Sequence, residues 1–274
     1  MAINSFVSKK LISYIFAIIS FFMRILHVTG AKGFGGNEQQ LLNILSYLTA
    51  EKNAVYGIAN SVMHNKTNTL ELEFFSSKKS KLKSLSNINH FIKTVNFYQP
   101  DVIHLHTSDA LTLFFYTSLF KNFKIKVVFE KKGISNSSSL LSRIKYNCSQ
   151  INHIICVSNY VKQKFKTTLT KKNQNKLKVI NDSFNFTSYS NAIPSRKVDI
   201  DNNKFIVGNI ANHSNAKNLE NLINIAHEII NIRNYRDIIF YQIGAFSKLT
   251  PKLDSKIKTF GLNDNFKLLG EIEN

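Results

Sequence analysis

The sequence predicts an α/β protein of two doubly wound parallel-sheet lobes, the second of them incomplete. Three observations predict it. Short apolar runs recur along the 274 residues, separated by segments with helical spacing of their apolar positions. The runs are continuous rather than alternating, which marks strands buried on both faces of a parallel sheet. A polar stretch rich in Asn, Ser and Asp, residues 182–203, interrupts this rhythm before it restarts. The resulting organisation is an apolar extension (1–23), a first lobe (24–181), a linker (182–203) and a partial second lobe (204–274).

The elements follow in order. A first strand from Arg24 runs into a bend with Gly30, Gly33, Gly35 and Gly36, and an amphipathic helix continues to Leu48. Strands are expected at Asn53–Ala59 and Leu70–Phe75. Apolar residues at Leu82, Leu85, Ile88, Phe91, Ile92, Val95 and Tyr98 have helical spacing, and Pro100 ends that helix. Next come a strand at Asp101–His106, a helix at Ala110–Phe120, a strand at Lys124–Phe129, a Ser-rich loop at 135–139 and a helix at Leu140–Asn147. A strand at His153–Val157, a helix from Asn159 and a strand at Leu177–Ile180 complete the first lobe. The second lobe reads as strand Phe205–Ile210, a helix from Asn218, strand Ile238–Ile243, helix Leu253–Phe260 and strand Phe266–Leu269.

Composition narrows the function. Hydrophobic residues at 43% and aromatics at 12% exclude wholesale disorder. Lys and Arg number 36 against 17 Asp and Glu, so anionic partners are favoured: phosphorylated substrates, an acidic membrane surface or nucleic acid. The nucleic-acid reading is the weakest, because the lysine clusters lack interleaved aromatics and no zinc-finger or RNA-binding spacing appears. Cys148 and Cys156 form no C-x-x-C pair and read as buried thiols of a reduced, cytoplasmic protein. In residues 1–23 the apolar run is short for a span of roughly 20 residues. An upstream translation start ranks first for this segment, an interfacial membrane anchor second and export last.

The bend before the first helix is built for an anion. Glycines permit close backbone approach, and a helix start aims unpaired N–H groups and the positive dipole end at the same place. Taken in isolation, such glycines also suit a plain strand-to-helix turn. The spacing fits neither the dinucleotide fingerprint, whose third glycine falls on Glu38, nor the P-loop, since Gly35 is followed by Gly36-Asn37. The element Gly35-Gly36-Asn37-Glu38 instead resembles the G-G-x-E opening of family-four glycosyltransferases of the GT-B fold. A second resemblance is Pro100-Asp-Val-Ile-His-Leu-His106, similar to the P-D-V-hydrophobic-H-x-H of that family.

His104 and His106 share one strand face at the carboxyl end, where parallel sheets place ligands. The resemblance implies that His106 faces the donor sugar as the catalytic histidine, with His104 in support. A metal reading of H-x-H lacks an obvious third ligand nearby, and no metal or other cofactor is expected. Ser158, after Val157, is placed to cap the next helix, a ligand contact being the lesser reading. The segment Phe129-Glu-Lys-Lys-Gly133 departs from the histidine-containing loop of relatives. In the second lobe, the family's diphosphate-binding arginine falls on Asn212 and its lysine on Lys217. A lysine at a helix start is unfavourable unless an anion intervenes, although a solvated lysine is the competing reading. The family's pair of glutamates separated by seven residues is absent, since Glu271 and Glu273 come too early.

The resemblance thus implies a glycosyltransferase, or a fragment of one. It would pass a sugar from a nucleoside-diphosphate sugar to a glycan or lipid-linked acceptor in envelope polysaccharide synthesis, peripheral to the inner membrane face. The alternative is an inactive remnant or an acceptor- or anion-binding module.

Overall fold

A computed structural model describes residues 22–134, 139–183 and 203–272. Residues 1–21 of the extension, most of the Ser-rich loop, the linker from 184 to 202 and Glu273 lie outside the described residues. The chain divides into two compact units, the first ending at Thr187.

The first unit holds a seven-stranded sheet. Its strands are β1 (Arg24–Val28), β2 (Lys52–Gly57), β3 (Glu73–Ser76), β4 (Val102–Leu105), β5 (Lys126–Lys131), β6 (His153–Cys156) and β7 (Leu177–Val179). They run in the order β3-β2-β1-β4-β5-β6-β7, and every pairing is parallel. The order turns at β1 and β4, which is the switch point where open α/β sheets bind ligands. Helices connect the strands: α1 (Gly36–Tyr47), α2 (Val62–Asn68), α3 (Leu85–Tyr98), α4 (Ser108–Ser118), α5 (Leu140–Tyr146), α6 (Asn159–Lys166) and α7 (Lys171–Gln174).

The two sheet faces differ in chemistry. Leu26, Val28, Tyr56, Ile103, Leu105, Val127 and Phe129 point to one face and join Phe91 and Phe114 in the main core. Each such side chain contributes about 1.5–3 kcal/mol by burial. The alternate residues His27, Asn53, His104, His106 and Glu130 lie on the opposite face with Val55, which packs against Leu41 and Leu45 of α1 and Met63 of α2.

Several boundaries differ from expectation for identifiable reasons. Residues 70–72 are not strand: the amides of Leu70 and Leu72 bond back to the Thr67 carbonyl and that of Glu71 to the Asn68 carbonyl at the end of α2, so β3 begins only at Glu73. Helix α3 begins at Leu85 rather than Leu82 because Ser84 caps it. Helix α4 begins earlier than expected, at Ser108, under the Thr107 cap. Cys156 is buried as expected, whereas Cys148 is only half-buried, and both are free thiols. Among the described residues no helix is long and apolar enough to cross a membrane.

The second unit holds a smaller parallel sheet, β10-β9-β8, from β8 (Phe205–Ile210), β9 (Ile238–Ile243) and β10 (Phe266–Gly270). Helix α8 (Leu219–His227) continues through a π turn to Ile232, and α9 spans Thr250–Thr259. Leu219, Ile223, Ala226, Phe240, Leu253, Ile257 and Phe266 form its core.

Candidate active site

The glycine bend of the first unit opens directly into α1. Gly35 stands at the N-cap in extended conformation with no side-chain cap, so the first-turn amides have no side-chain acceptor of their own. A Cβ on Gly36 would meet nothing within 4 Å, and one on Gly35 would meet only Glu38 Oε2, at 3.5 Å. The protein's own packing therefore does not require glycine at these two positions. Gly30 is different. A Cβ there would approach Leu82 Cδ1 to 2.8 Å and Asp109 Cβ to 2.9 Å, and its amide donates to Thr107 Oγ1 at 2.9 Å. Gly30 thus serves internal packing, while Gly35 and Gly36 leave open backbone at a helix start.

A buried cation stands beside this opening. Lys132 Nζ donates to the Asn37 carbonyl at 3.0 Å and lies 3.4 Å from Glu130 Oε2, with both side chains over nine-tenths buried. In the sequence this segment shows only as a departure from the family pattern. The visible signal was Glu130 itself, a carboxylate at the end of an apolar strand, where burial demands a partner.

From Glu130 a polar line crosses four strands. His106 Nδ1 meets Glu130 Oε2 at 2.8 Å, His106 Nε2 meets His27 Nδ1 at 2.9 Å, and His27 Nε2 meets Asn53 Oδ1 at 3.1 Å. His104, the register partner of His27, lies with its ring centroid 4.0 Å from that of His106. The expectation that His104 and His106 share a face holds. Their surroundings are less expected, because both nitrogens of buried His106 have a polar neighbour while His104 Nε2 is buried without a hydrogen-bond partner among the described residues. Burial lowers all three rings: His27 to about 4, and His104 and His106 well below the ordinary histidine value.

His27 and Asn53 were missed by sequence reasoning, although each is a polar residue inside an apolar strand. The case against a metal at H-x-H rests on the lack of a third ligand nearby, and the structure differs on that point. A third imidazole is present, supplied by β1 rather than by a sequence neighbour, since ring nitrogens of His27, His104 and His106 lie within 4.8 Å of one another.

The remaining predicted residues are placed as follows. Ser158 caps α6, accepting from the Val161 amide at 3.2 Å. Glu38 lies in the first turn of α1. In the second unit, Lys217 ends an exposed 3-10 turn, Asn215–Lys217, just before α8. Asn212 is exposed, and its Oδ1 accepts from the Ala245 amide at 3.0 Å. Between them His213 is buried, bonded to Gln242 at 2.6 Å and Thr250 at 2.8 Å. Gly244, at φ +151°, lets the two loops close: a Cβ there would fall 2.1 Å from the Ala211 carbonyl oxygen.

Known proteins share this fold. No curated protein matches the sequence significantly. Among solved structures, HepE from Anabaena in complex with UDP and glucose superposes with a TM-score of 0.73 at 18% identity, covering 92% of this chain and 70% of its own. A glycosyltransferase from Rickettsia africae gives 0.73 at 18% identity, covering 92% and 69%. The lipopolysaccharide outer core galactosyltransferase WaaB, without ligand, gives 0.61 at 12%, also covering 92% and 69%. These likenesses establish the GT-B fold. The model of Glycosyltransferase Family 4 matches residues 34–181, from the glycine bend to the end of the seven-stranded sheet, and the chain belongs to that family.

Proposed function

We propose that this protein transfers a hexose-type sugar from a nucleoside-diphosphate sugar to a glycan or lipid-linked acceptor in envelope polysaccharide synthesis. The observation that carries the reading is the open backbone at Gly35 and Gly36, where α1 starts beside Lys132. Open backbone N–H groups and the positive end of a helix dipole together favour a diphosphate. The same groups stabilise charge that develops on the leaving diphosphate, and this chemistry needs no metal. Complexes of HepE with UDP and with UDP-glucose support the donor class. WaaB, by its description a galactosyltransferase of the lipopolysaccharide outer core, supports the envelope reading. The formal charge of +19 supports a peripheral place on an anionic, cytoplasm-facing membrane surface.

In this reading His106 acts as a fixed group. Its Nδ1 is spent on Glu130 and its Nε2 faces His27 Nδ1 inside the buried line, so it contributes a set orientation and field near the donor sugar rather than a free base. In the second lobe Lys217 meets the donor phosphates, and Asn212 stands where relatives use an arginine, with weaker donor binding as the cost.

Thermal unfolding with and without UDP tests the loop. UDP should raise the Tm of wild type and leave Gly36→Val unshifted, and equal protection of both would overturn the loop assignment. Turnover tests the histidine: His106→Ala should lower kcat by about 100-fold or more while His153→Ala leaves it unchanged. UDP protection without sugar transfer by wild type would favour the alternative, an anion- or acceptor-binding module.

A further inference from the structure

The hydrogen-bond polarity of the histidine line cannot be completed by its rings alone. Asn53 turns its amide nitrogen to the carbonyls of Leu48 at 2.7 Å and Glu51 at 3.3 Å, so its oxygen must accept from His27 Nε2–H. At the other end the Glu130 carboxylate, already paired with Lys132, accepts from His106 Nδ1–H. Two neutral imidazoles carry two N–H hydrogens, and these outer acceptors claim both. His27 Nδ1 and His106 Nε2 are left facing each other 2.9 Å apart as two lone pairs. A proton added there would join these two nitrogens only. Beside this gap His104 Nε2 is buried with no hydrogen-bond partner among the described residues.

We propose that His27 Nδ1, His106 Nε2 and a ring nitrogen of His104 bind a divalent cation of the zinc class. Neutral imidazoles are the ligand form, and three nitrogens select borderline ions such as Zn2+ or Co2+ over Mg2+ or Ca2+. Metal–nitrogen bonds of about 2.0–2.1 Å set ligand nitrogens roughly 3.4 Å apart in a tetrahedral site. The His27–His106 pair therefore opens slightly, and the cluster, now spread within 4.8 Å, tightens around the ion. Each outer N–H keeps its acceptor, Asn53 for His27 and Glu130 for His106, which is the supporting arrangement that metal-bound histidines use. Lys132 opposes the ion's charge, but it is engaged by Glu130 and the Asn37 carbonyl. The cation and sugar transfer compete for His106, so the loaded protein is the non-transferring state.

Co2+ titration of the chelator-treated full chain tests this. One equivalent should bind with the intense visible absorption of a low-coordinate nitrogen site, and Zn2+ should displace it. His104→Ala removes a ring whose Nε2 has no hydrogen-bond partner, so the fold, checked by circular dichroism, should survive. Its Co2+ affinity should fall by more than about 100-fold, that of Glu130→Gln by about 10-fold, and that of His153→Ala, at an exposed position, not at all. Absent absorption in wild type, or unchanged affinity in His104→Ala, would overturn the proposal. UDP protection of the metal-free protein is a separate readout, so failure of either reading leaves the other measurable.

Discussion

Lys132 shows how much one side chain decides here. It joins the acidic end of the histidine line to the first turn of α1 through Glu130 and the Asn37 carbonyl. Both partners of the ion pair are buried, so removing one leaves a charge uncompensated. Lys132→Met is expected to destabilise the protein by about 3 kcal/mol, and adding Glu130→Gln should recover most of that loss. Urea unfolding of the two variants measures both terms, and an undiminished loss in the double variant would place the effect in lost packing instead. This residue was not legible as functional in the sequence, because the expected strand stops at Phe129 and only the extension of β5 through Lys131 brings Glu130 and Lys132 into the buried site. His106 and His104 were legible, since two residues apart on a strand must share a face. His27 and Asn53 were not, because their partners come from other strands and only the register of β1 with β2 and β4 brings them together.

At the scale of elements, caps account for where the sequence was readable and where it was not. Helix α6 starts where expected because Ser158 is both the last polar residue of the strand end and the cap. Thr107 has a second task that no local pattern reveals. Its Oγ1 accepts from the Ala110 amide at 3.2 Å, starting α4, and from the Gly30 amide at 2.9 Å, fixing the beginning of the glycine bend. One hydroxyl thus ties the loops after β1 and β4, the two strands of the switch point. Thr107→Val keeps the shape and removes the acceptor for two amides, and a loss of about 2 kcal/mol is expected. Thr107→Ser should retain most of the stability. UDP protection should fall with Thr107→Val as well, since the bend it anchors leads into the Gly35–Gly36 opening; unchanged protection would confine the residue to helix capping.

For the whole molecule, the fold class was legible because buried parallel strands leave continuous apolar runs, and the two sheets fall where those runs lie. The difference in stability between the two units follows from size and from where each sheet is covered. A unit of roughly 70 residues buries about 60% of its unfolded surface, against nearly 70% for one of about 150. In the first unit β4 is the central strand of seven, with Ile103 and Leu105 fully buried. In the second, β9 is central to only three strands, and its neighbour β8 leaves Phe205 70% and Ile210 83% exposed. An edge strand with exposed apolar side chains opens more readily than a covered one, and β9 loses one of its two partners whenever β8 opens. Amide hydrogen exchange should therefore be about a hundredfold slower or more at Ile103–Leu105 than at Ile239–Gln242. Helix α8 should exchange with β9 as one unit, because Ile223 and Ala226 share their core with Phe240. Equal protection of β4 and β9 would mean that core size and edge exposure do not set the relative stability of the two units.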